Sequence, residues 1–162
     1  MAVEKRKLSL TVNGEPYELW INPKTTLLEL LNRHLFLTGA KMACISNSCG
    51  ACTVILDGKS VKSCNTLAMQ ADNKDVLTIE GLAQNGQLHP IQESWMEYAA
   101  FQCGFCTPGV IMSTKALLDE NPQPTREEIM RGIEGNICRC TGYIKILDAI
   151  EDAAKKLQEV KK

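Results

Sequence analysis

The spacing of apolar residues along the chain changes from a strand period to a helical period near its middle. Residues 8–12 alternate between apolar and polar side chains, and residues 17–21 do so again. Asn13 and Gly14 stand between the two runs, and this pair is typical of a tight hairpin turn. The pattern therefore predicts that the first half begins with a β-hairpin.

The remainder of the first half predicts one helix and a few more strands. Thr26 and Glu29 have the spacing of a capping box at the start of the Leu-rich residues 25–35. Residues 53–64 have the pattern of a second hairpin, and residues 75–82 that of a short strand. These elements predict a small mixed sheet with a helix packed on it.

The second half has helical periodicity. Residues 82–90 are polar, contain Gly86 and Pro90, and form the best candidate for a linker. Four short helices with short connections predict a compact bundle. The expected organisation is α+β, with one domain over residues 1–82 and a four-helix bundle over residues 83–162. The four predicted helices fall within residues 90–101, 107–122, 125–135 and 143–160.

Several residues predict where these helices begin and end. Thr107 is expected to cap the second helix, with Pro108 at its first position. Thr125 and Glu128 form another capping box, and Gly135 is a plausible C-cap. The face that the first helix buries is predicted to comprise Ile91, Trp95, Tyr98 and Ala99.

Composition excludes some classes of function. The chain has 162 residues and a formal net charge of −1, without the basic excess that a nucleic-acid-binding face requires. No segment approaches the ~20 continuous apolar residues of a membrane span, and the start does not resemble a signal peptide. We therefore expect a cytoplasmic protein with no nucleic-acid partner and no membrane span.

The chain contains eight cysteines, and clustered thiols in the cytosol are more often metal ligands or redox groups than disulfides. Cys44, Cys49 and Cys52 have the spacing C-x4-C-x2-C, and Cys64 follows at the end of the second hairpin. This is the spacing with which plant-type ferredoxins hold a 2Fe–2S cluster. A zinc site or reduced, unligated thiols are the alternatives, although structural zinc usually joins two shorter Cys pairs.

The other four cysteines form two close pairs in the helical half. Cys103 and Cys106 lie between the first two predicted helices, and Cys138 and Cys140 lie between the last two. Facing connections in a bundle can together form one four-thiolate site. A second iron–sulfur cluster is the favoured interpretation, with zinc or a redox-active dithiol on the C-x2-C pattern as alternatives.

The segments "CGACTVILDGKSVKSC", "QCGFCTPGVIM" and "GNICRCTGYIKI" closely resemble the small iron–sulfur subunit of the molybdenum hydroxylases. This is the family of xanthine dehydrogenase, carbon monoxide dehydrogenase and 4-hydroxybenzoyl-CoA reductase. The resemblance runs from about Leu8 to Ile150 and includes both cysteine groups in order. It implies an N-terminal β-grasp, plant-type ferredoxin-like domain and a C-terminal four-helix bundle, each with one 2Fe–2S cluster.

The resemblance also implies partners and two further contacts. A large subunit would carry a molybdopterin cofactor at which substrate is oxidised, and a medium subunit would carry FAD, in a dimer of heterotrimers. Electrons would pass between molybdopterin and FAD through the two clusters, in either direction. Cys140 and Gln102 correspond by position to residues that contact the pterin.

The first cysteine loop departs from the family pattern because it keeps only Gly50 where relatives commonly have several glycines. Asn47 can adopt a left-handed conformation more readily than most residues and could replace one of them. Ile45 cannot, so we expect it to have a negative φ, with its side chain shielding the cluster or facing the flavin-bearing partner.

No substrate-converting site is evident in the chain. His34 and His89 are the only histidines and lie outside the cysteine groups, which argues against a Rieske site. We expect His34 to close a helix and His89 to lie on the linker surface. The sequence thus predicts an electron-transfer subunit. Its rivals are a free-standing ferredoxin, a zinc-stapled interaction module and a thiol oxidoreductase.

Overall fold

The computed structural model describes residues 4–160. The predicted first hairpin is present: strand β1 (Arg6–Val12) turns at Asn13 and Gly14 into the antiparallel strand β2 (Glu15–Ile21). The alternation in β1 has the expected effect, because its apolar side chains are buried while their neighbours face outwards.

Three further strands complete one mixed sheet of five. Strands β3 and β4 form the second predicted hairpin, and β5 inserts between the two hairpins. It pairs parallel with β1 and antiparallel with β3, which gives the order β2-β1-β5-β3-β4. The three strands comprise Thr53–Leu56, Lys59–Lys62 and Asp75–Leu77.

The predicted Leu-rich helix is short and irregular. Its α-helical part, α1, spans Leu27–Glu29 and continues as a π-helical turn over Leu30–His34. Thr26 caps it as expected, since its hydroxyl accepts a hydrogen bond from the Glu29 amide at 3.1 Å. The Glu29 carboxylate forms an ion pair with Arg33 rather than bonding back to Thr26. His34 ends the helix, as predicted.

The second half contains four helices, and each packs against two of the others. Two predicted end residues are wrong. Cys106, not Thr107, is the N-cap of the second of these helices, and Glu134 rather than Gly135 caps the third. The capping box of Thr125 and Glu128 is confirmed by both of its hydrogen bonds. The four helices are α2 (Pro90–Glu97), α3 (Thr107–Glu120), α4 (Arg126–Ile133) and α5 (Ile144–Val160).

Helix α2 is shorter than the sequence predicts. Ile91 and Trp95 are buried as expected, but Tyr98 and Ala99 are exposed. The helix ends at Glu97 with Tyr98 as its C-cap, and Ala99 turns away with a φ of 48°. His89 is not merely linker surface. Its Nδ1 accepts a hydrogen bond from the Ile91 amide and thereby caps the helix.

The structure has two hydrophobic cores. One is formed by the sheet, α1 and the segments that follow it. The other is formed by α2–α5 and also takes in Ile55 from β3 and Leu82 from the predicted linker. The fold class is therefore α+β, as expected, with helix α3 packed directly against strand β3. Within residues 4–160, no helix has the length and hydropathy that crossing a membrane requires.

Helix α3 lies so close to the first cysteine loop that only glycine fits in the helix at the point of contact, Gly109. A Cβ atom on Gly109 would lie 2.9 Å from the Cα of Ala51 and closer still to the carbonyl oxygen of Gly50. Backbone atoms cannot move aside as the end of a flexible side chain can. We therefore expect Gly109→Ala to lower the free energy of unfolding by about 1–3 kcal/mol, measured by thermal or denaturant unfolding.

Gly132→Ala is the matched control, because Gly132 also lies inside a helix. Its added Cβ would meet the side-chain methyl group of Leu117 at 2.7 Å, and that side chain can rotate. The loss should therefore be smaller than for Gly109→Ala. Equal stability of Gly109→Ala and the wild type would contradict the close approach.

Candidate metal centres

The first cysteine group is assembled from the loop before β3 and the turn after β4. Ser63 is fully buried, and its hydroxyl donates a hydrogen bond of 2.7 Å to the carbonyl of Cys52. This contact brings the neighbouring Cys64 thiol against that of Cys52, close to the other two thiols of the group. The structure thus brings together the four cysteines that the sequence grouped.

The thiols of this group have unequal acidities. Hydrogen bonds from the backbone and side chain of Cys49 lower the pKa of Cys44 to about 6. Burial raises the pKa of Cys64 to about 12, and the hydrogen bond with Cys52 and the other nearby thiols add to this effect. Hydrogen-bond donors therefore stabilise the thiolate form of Cys44.

The loop conformation agrees with the expectations for its two unusual residues. Asn47 is left-handed, with a φ of 60°, while Ile45 has a negative φ. The Ile45 side chain is 99% exposed, so it covers nothing within the chain, and its contact with a partner stays a prediction. The Asn47 carbonyl accepts a hydrogen bond of 3.1 Å from the ammonium group of Lys62, which ties the loop to strand β4.

The second group lies where the connection between α2 and α3 faces the connection between α4 and α5. Cys103 and Cys140 are exposed, and their sulfur atoms are 3.6 Å apart. Cys138 is buried and forms a hydrogen bond with the partly buried Cys106. The site therefore has an exposed pair of thiols and an interior pair.

The two thiols of the interior pair differ in acidity. Burial and the hydrogen bond with Cys138 raise the pKa of Cys106 to about 12. Burial also acts to raise the pKa of Cys138, but hydrogen bonds from Thr141, from the backbone and from Cys106 outweigh it and lower the pKa. The hydrogen bond with Cys103 raises the pKa of Cys140.

The donor set fits two binuclear iron–sulfur units. Soft thiolates favour iron–sulfur clusters or zinc over hard cations, and a 2Fe–2S cluster takes two thiolates on each iron. In the part of the chain that the structure describes, no three His, Cys, Asp or Glu side chains converge as ligands of a single ion would. The thiols instead form four contacting pairs, two in each group. These pairs are Cys44 with Cys49, Cys52 with Cys64, Cys103 with Cys140, and Cys106 with Cys138.

One buried polar atom points to an incomplete contact in the first loop. The Oδ1 atom of Asn47 is buried and has no hydrogen-bond partner among the described residues. The two ends of an amide side chain can exchange by a simple rotation. The side-chain N–H of Asn47 would then be available as a donor to a group held by the loop, such as a bound cluster.

The two cysteine groups meet at a backbone junction. The amide of Ile137 donates a hydrogen bond of 2.8 Å to the carbonyl of Cys49. The buried Asn136 side chain donates to the carbonyl of Gly50 at 3.0 Å and accepts from the Ser113 hydroxyl at 2.7 Å. This junction also explains Gly50. It has a φ of 68°, and a Cβ there would lie 2.6 Å from Nδ2 of Asn136.

Sequence reasoning placed the eight cysteines but missed the residues that orient them. Asn136, Thr141 and Tyr143 are polar neighbours of Cys138 in the chain, and this was the available signal. Ser63 similarly precedes Cys64. Gln102 is exposed beside Cys103, and no contact in the structure tests its predicted role.

Comparison with known proteins agrees with this geometry. Residues 10–83 match a family model described as a 2Fe-2S iron-sulfur cluster binding domain, and residues 78–151 match a 2Fe-2S binding domain. The small FeS subunit of nicotinate dehydrogenase from Eubacterium barkeri is 46% identical over 95% of this chain and 98% of its own length. The chain belongs to the iron–sulfur subunits of the molybdenum hydroxylase family.

Two further relatives extend the comparison. A chain of quinoline 2-oxidoreductase from Pseudomonas putida 86 has the same fold, with a TM-score of 0.92 and 40% identity over 96% of this chain and 98% of that one. Aldehyde oxidoreductase of Megalodesulfovibrio gigas is 45% identical over 90% of this chain, which corresponds to only 16% of that protein. The same unit thus occurs both as a separate subunit and as part of a larger chain.

The lowered pKa of Cys44 predicts how fast this thiol reacts with an alkylating reagent in the metal-free chain. A pKa lowered to about 6 makes this thiol a thiolate above that pH, whereas Cys64, raised to about 12, stays protonated at neutral pH. The thiolate is the nucleophile. At pH 7, iodoacetamide should therefore modify Cys44 at least about a hundredfold faster than Cys64, as followed by mass spectrometry of the labelled peptides. Equal rates would contradict the assigned hydrogen bonds.

The junction makes a second prediction. Asn136→Ala removes the bond to Gly50 and leaves Ser113 without its acceptor, so we expect the free energy of unfolding to fall by about 1–3 kcal/mol. The Ile137 amide should also exchange its hydrogen faster. Ser113→Ala is the control, since it keeps the hydrogen bond between Asn136 and Gly50. It should change the rate of hydrogen exchange at the Ile137 amide less than Asn136→Ala does. Unchanged exchange at Ile137 in Asn136→Ala would contradict this role.

Proposed function

We propose that this chain relays electrons through two 2Fe–2S clusters, between a molybdopterin site on a large subunit and FAD on a medium subunit. The observation that carries the proposal is the assembly of two separate four-thiol groups, joined by a direct backbone hydrogen bond. Bound clusters would supply two one-electron redox centres. The chain itself is the iron–sulfur subunit of an oxidoreductase, and we place substrate conversion on the large subunit.

We assign each cluster to one half of the chain. Cys44, Cys49, Cys52 and Cys64 would hold the first in a β-grasp, ferredoxin-like domain over residues 1–82. The mixed sheet, which shares one hydrophobic core with α1, supports this assignment. Cys103, Cys106, Cys138 and Cys140 would hold the second in a four-helix bundle over residues 83–162. The mutual packing of α2–α5 supports it.

The surroundings of the two groups support separate partner contacts. Met42 and Ile45 are exposed apolar residues beside the first group, and Phe105 and Ile137 are exposed beside the second. Residues of this kind are enriched in protein interfaces. We propose that the first face meets the FAD subunit and that the second meets the molybdopterin subunit.

Two exposed residues of the second group are suited to a cofactor on the partner. Cys140 is exposed, and its sulfur lies against that of Cys103, the residue that follows Gln102. Gln102 is exposed as well and carries an amide donor and acceptor. Both could therefore contact the pterin of the large subunit. We propose that the complex is a dimer of such heterotrimers in the cytoplasm.

Metal analysis and EPR of the purified complex test this function. We expect about four iron atoms per copy of this chain, two for each 2Fe–2S cluster, and two distinct EPR signals after reduction with dithionite. Molybdenum and flavin should co-purify. Cys64→Ala should abolish one signal and Cys138→Ala the other, because each removes one ligand.

Ser46→Ala is the matched control, since this exposed hydroxyl lies within the first loop but contacts only Ser48. Both signals should persist in that variant. A colourless protein that contains zinc would contradict the proposal in favour of an interaction module. A single signal that both cysteine variants abolish would contradict the assignment of one cluster to each group.

A further inference from the structure

The side chain of Thr141 lies against the interior pair of the second cysteine group. Its hydroxyl donates a hydrogen bond to the sulfur of Cys138 at 3.1 Å. The same oxygen accepts a hydrogen bond from the amide of Tyr143 at 3.3 Å. A hydroxyl group has a single proton. Because the Tyr143 amide occupies its acceptor side, that proton is directed towards the sulfur.

The turn that carries Thr141 is fixed from its other end. Gly142 and Tyr143 are both left-handed, with φ values of 66° and 69°. The Tyr143 phenol accepts the Cys138 amide proton at 2.7 Å and donates to the carbonyl of Asn136 at 3.2 Å. A non-glycine residue keeps such a backbone conformation only where its surroundings hold it. The turn is therefore clamped to Cys138 at its amide and at its sulfur.

Burial makes the sulfur contact effective. Cys138 is 9% exposed, whereas Cys103 and Cys140 in the same group are exposed. A hydrogen bond is electrostatically stronger where water is excluded. Hydrogen bonds to the ligand sulfurs are among the factors that set the reduction potential of an iron–sulfur cluster.

We propose that Thr141 is a positioning residue that raises the reduction potential of the second centre by donating its hydroxyl proton to the Cys138 sulfur. The inference rests on the proposed function. A 2Fe–2S cluster held by these thiolates would take up one electron, supplied through a partner subunit. The added negative charge on the Cys138 sulfur would strengthen the hydrogen bond from Thr141. The proton stays on the Thr141 oxygen, so no proton is transferred.

An EPR-monitored redox titration of the purified complex tests the proposal. Thr141→Val keeps the shape of the side chain but removes the hydroxyl. At a fixed potential near the midpoint, the ratio of reduced to oxidised second centre should fall about tenfold, equivalent to ~59 mV for one electron. The first centre should keep its potential and thus serves as a control within the same molecule. Thr141→Ser, which retains a hydroxyl, should restore the wild-type value.

Tyr143→Phe separates the sulfur contact from the clamp on the turn. It removes the bond to the Cys138 amide and keeps the Thr141 hydroxyl, so the potential should fall much less than in Thr141→Val. An equal fall in the two variants would overturn the proposal, because it would assign the effect to loop geometry. An unchanged potential in Thr141→Val would also overturn it.

A solvent-isotope measurement gives a second readout of the same hydrogen bond, independent of the redox titration. In heavy water, deuterium replaces the Thr141 hydroxyl proton, and an iron–sulfur stretching band of the second centre should shift in the resonance Raman spectrum. Thr141→Ala should show a smaller shift, because only the backbone amides of Thr141 and Cys140 still donate to the Cys138 sulfur there. A shift as large as that of the wild type would overturn the proposal. A wild-type complex with no second EPR signal would overturn the proposed function itself. Two normal signals with no effect of Thr141 would overturn only this inference.

Discussion

The backbone contact between the two cysteine loops is the constraint on which the rest of the structure depends. The carbonyl of Cys49 accepts the amide proton of Ile137, one residue before Cys138, so a cysteine of each group lies next to the same hydrogen bond. Neither loop has regular structure of its own there. Their mutual position is set by two close approaches. Helix α3 lies against the first loop, which requires glycine at Gly109, and the turn at Gly135 and Asn136 lies against Gly50.

The same constraint explains how two structurally different halves act as one unit. A sheet and a helical cluster have little reason to hold a fixed relative position if only a linker joins them. Here strand β3 packs against α3, and Asn136 connects the Gly50 carbonyl to the Ser113 hydroxyl within the buried interface. This junction would hold the two proposed centres at a fixed separation. The occurrence of the same unit as part of a longer chain in an aldehyde oxidoreductase fits this rigidity.

The two thiol groups are built on different principles. In the first, the backbone amides of the loop donate to the Cys44 sulfur together with the Cys49 side chain, and these donors lower the pKa of Cys44. The second divides into an interior pair and an exposed pair, and side chains control the interior one through Thr141 and Tyr143. Exposure of Cys103 and Cys140 leaves one side of the second group open to a partner. The acidity of the first group therefore depends mainly on its own loop. That of the second group depends on its polar neighbours and on the partner that covers its exposed side.

The sequence by itself determined the elements and the grouping of the thiols. Alternation, the Asn13–Gly14 turn and the capping box at Thr125 are local signals, and cysteine spacing is a property of the chain. Only the tertiary structure decided the early end of α2, the capping role of His89, the division of the thiols into pairs and the orienting contacts of Asn136, Thr141 and Tyr143. These features depend on groups brought together from distant or irregular segments, and no periodicity encodes such contacts. Gly50 illustrates both. Its presence in the loop is visible in the sequence, while the reason for it is the turn at Gly135 and Asn136, far along the chain.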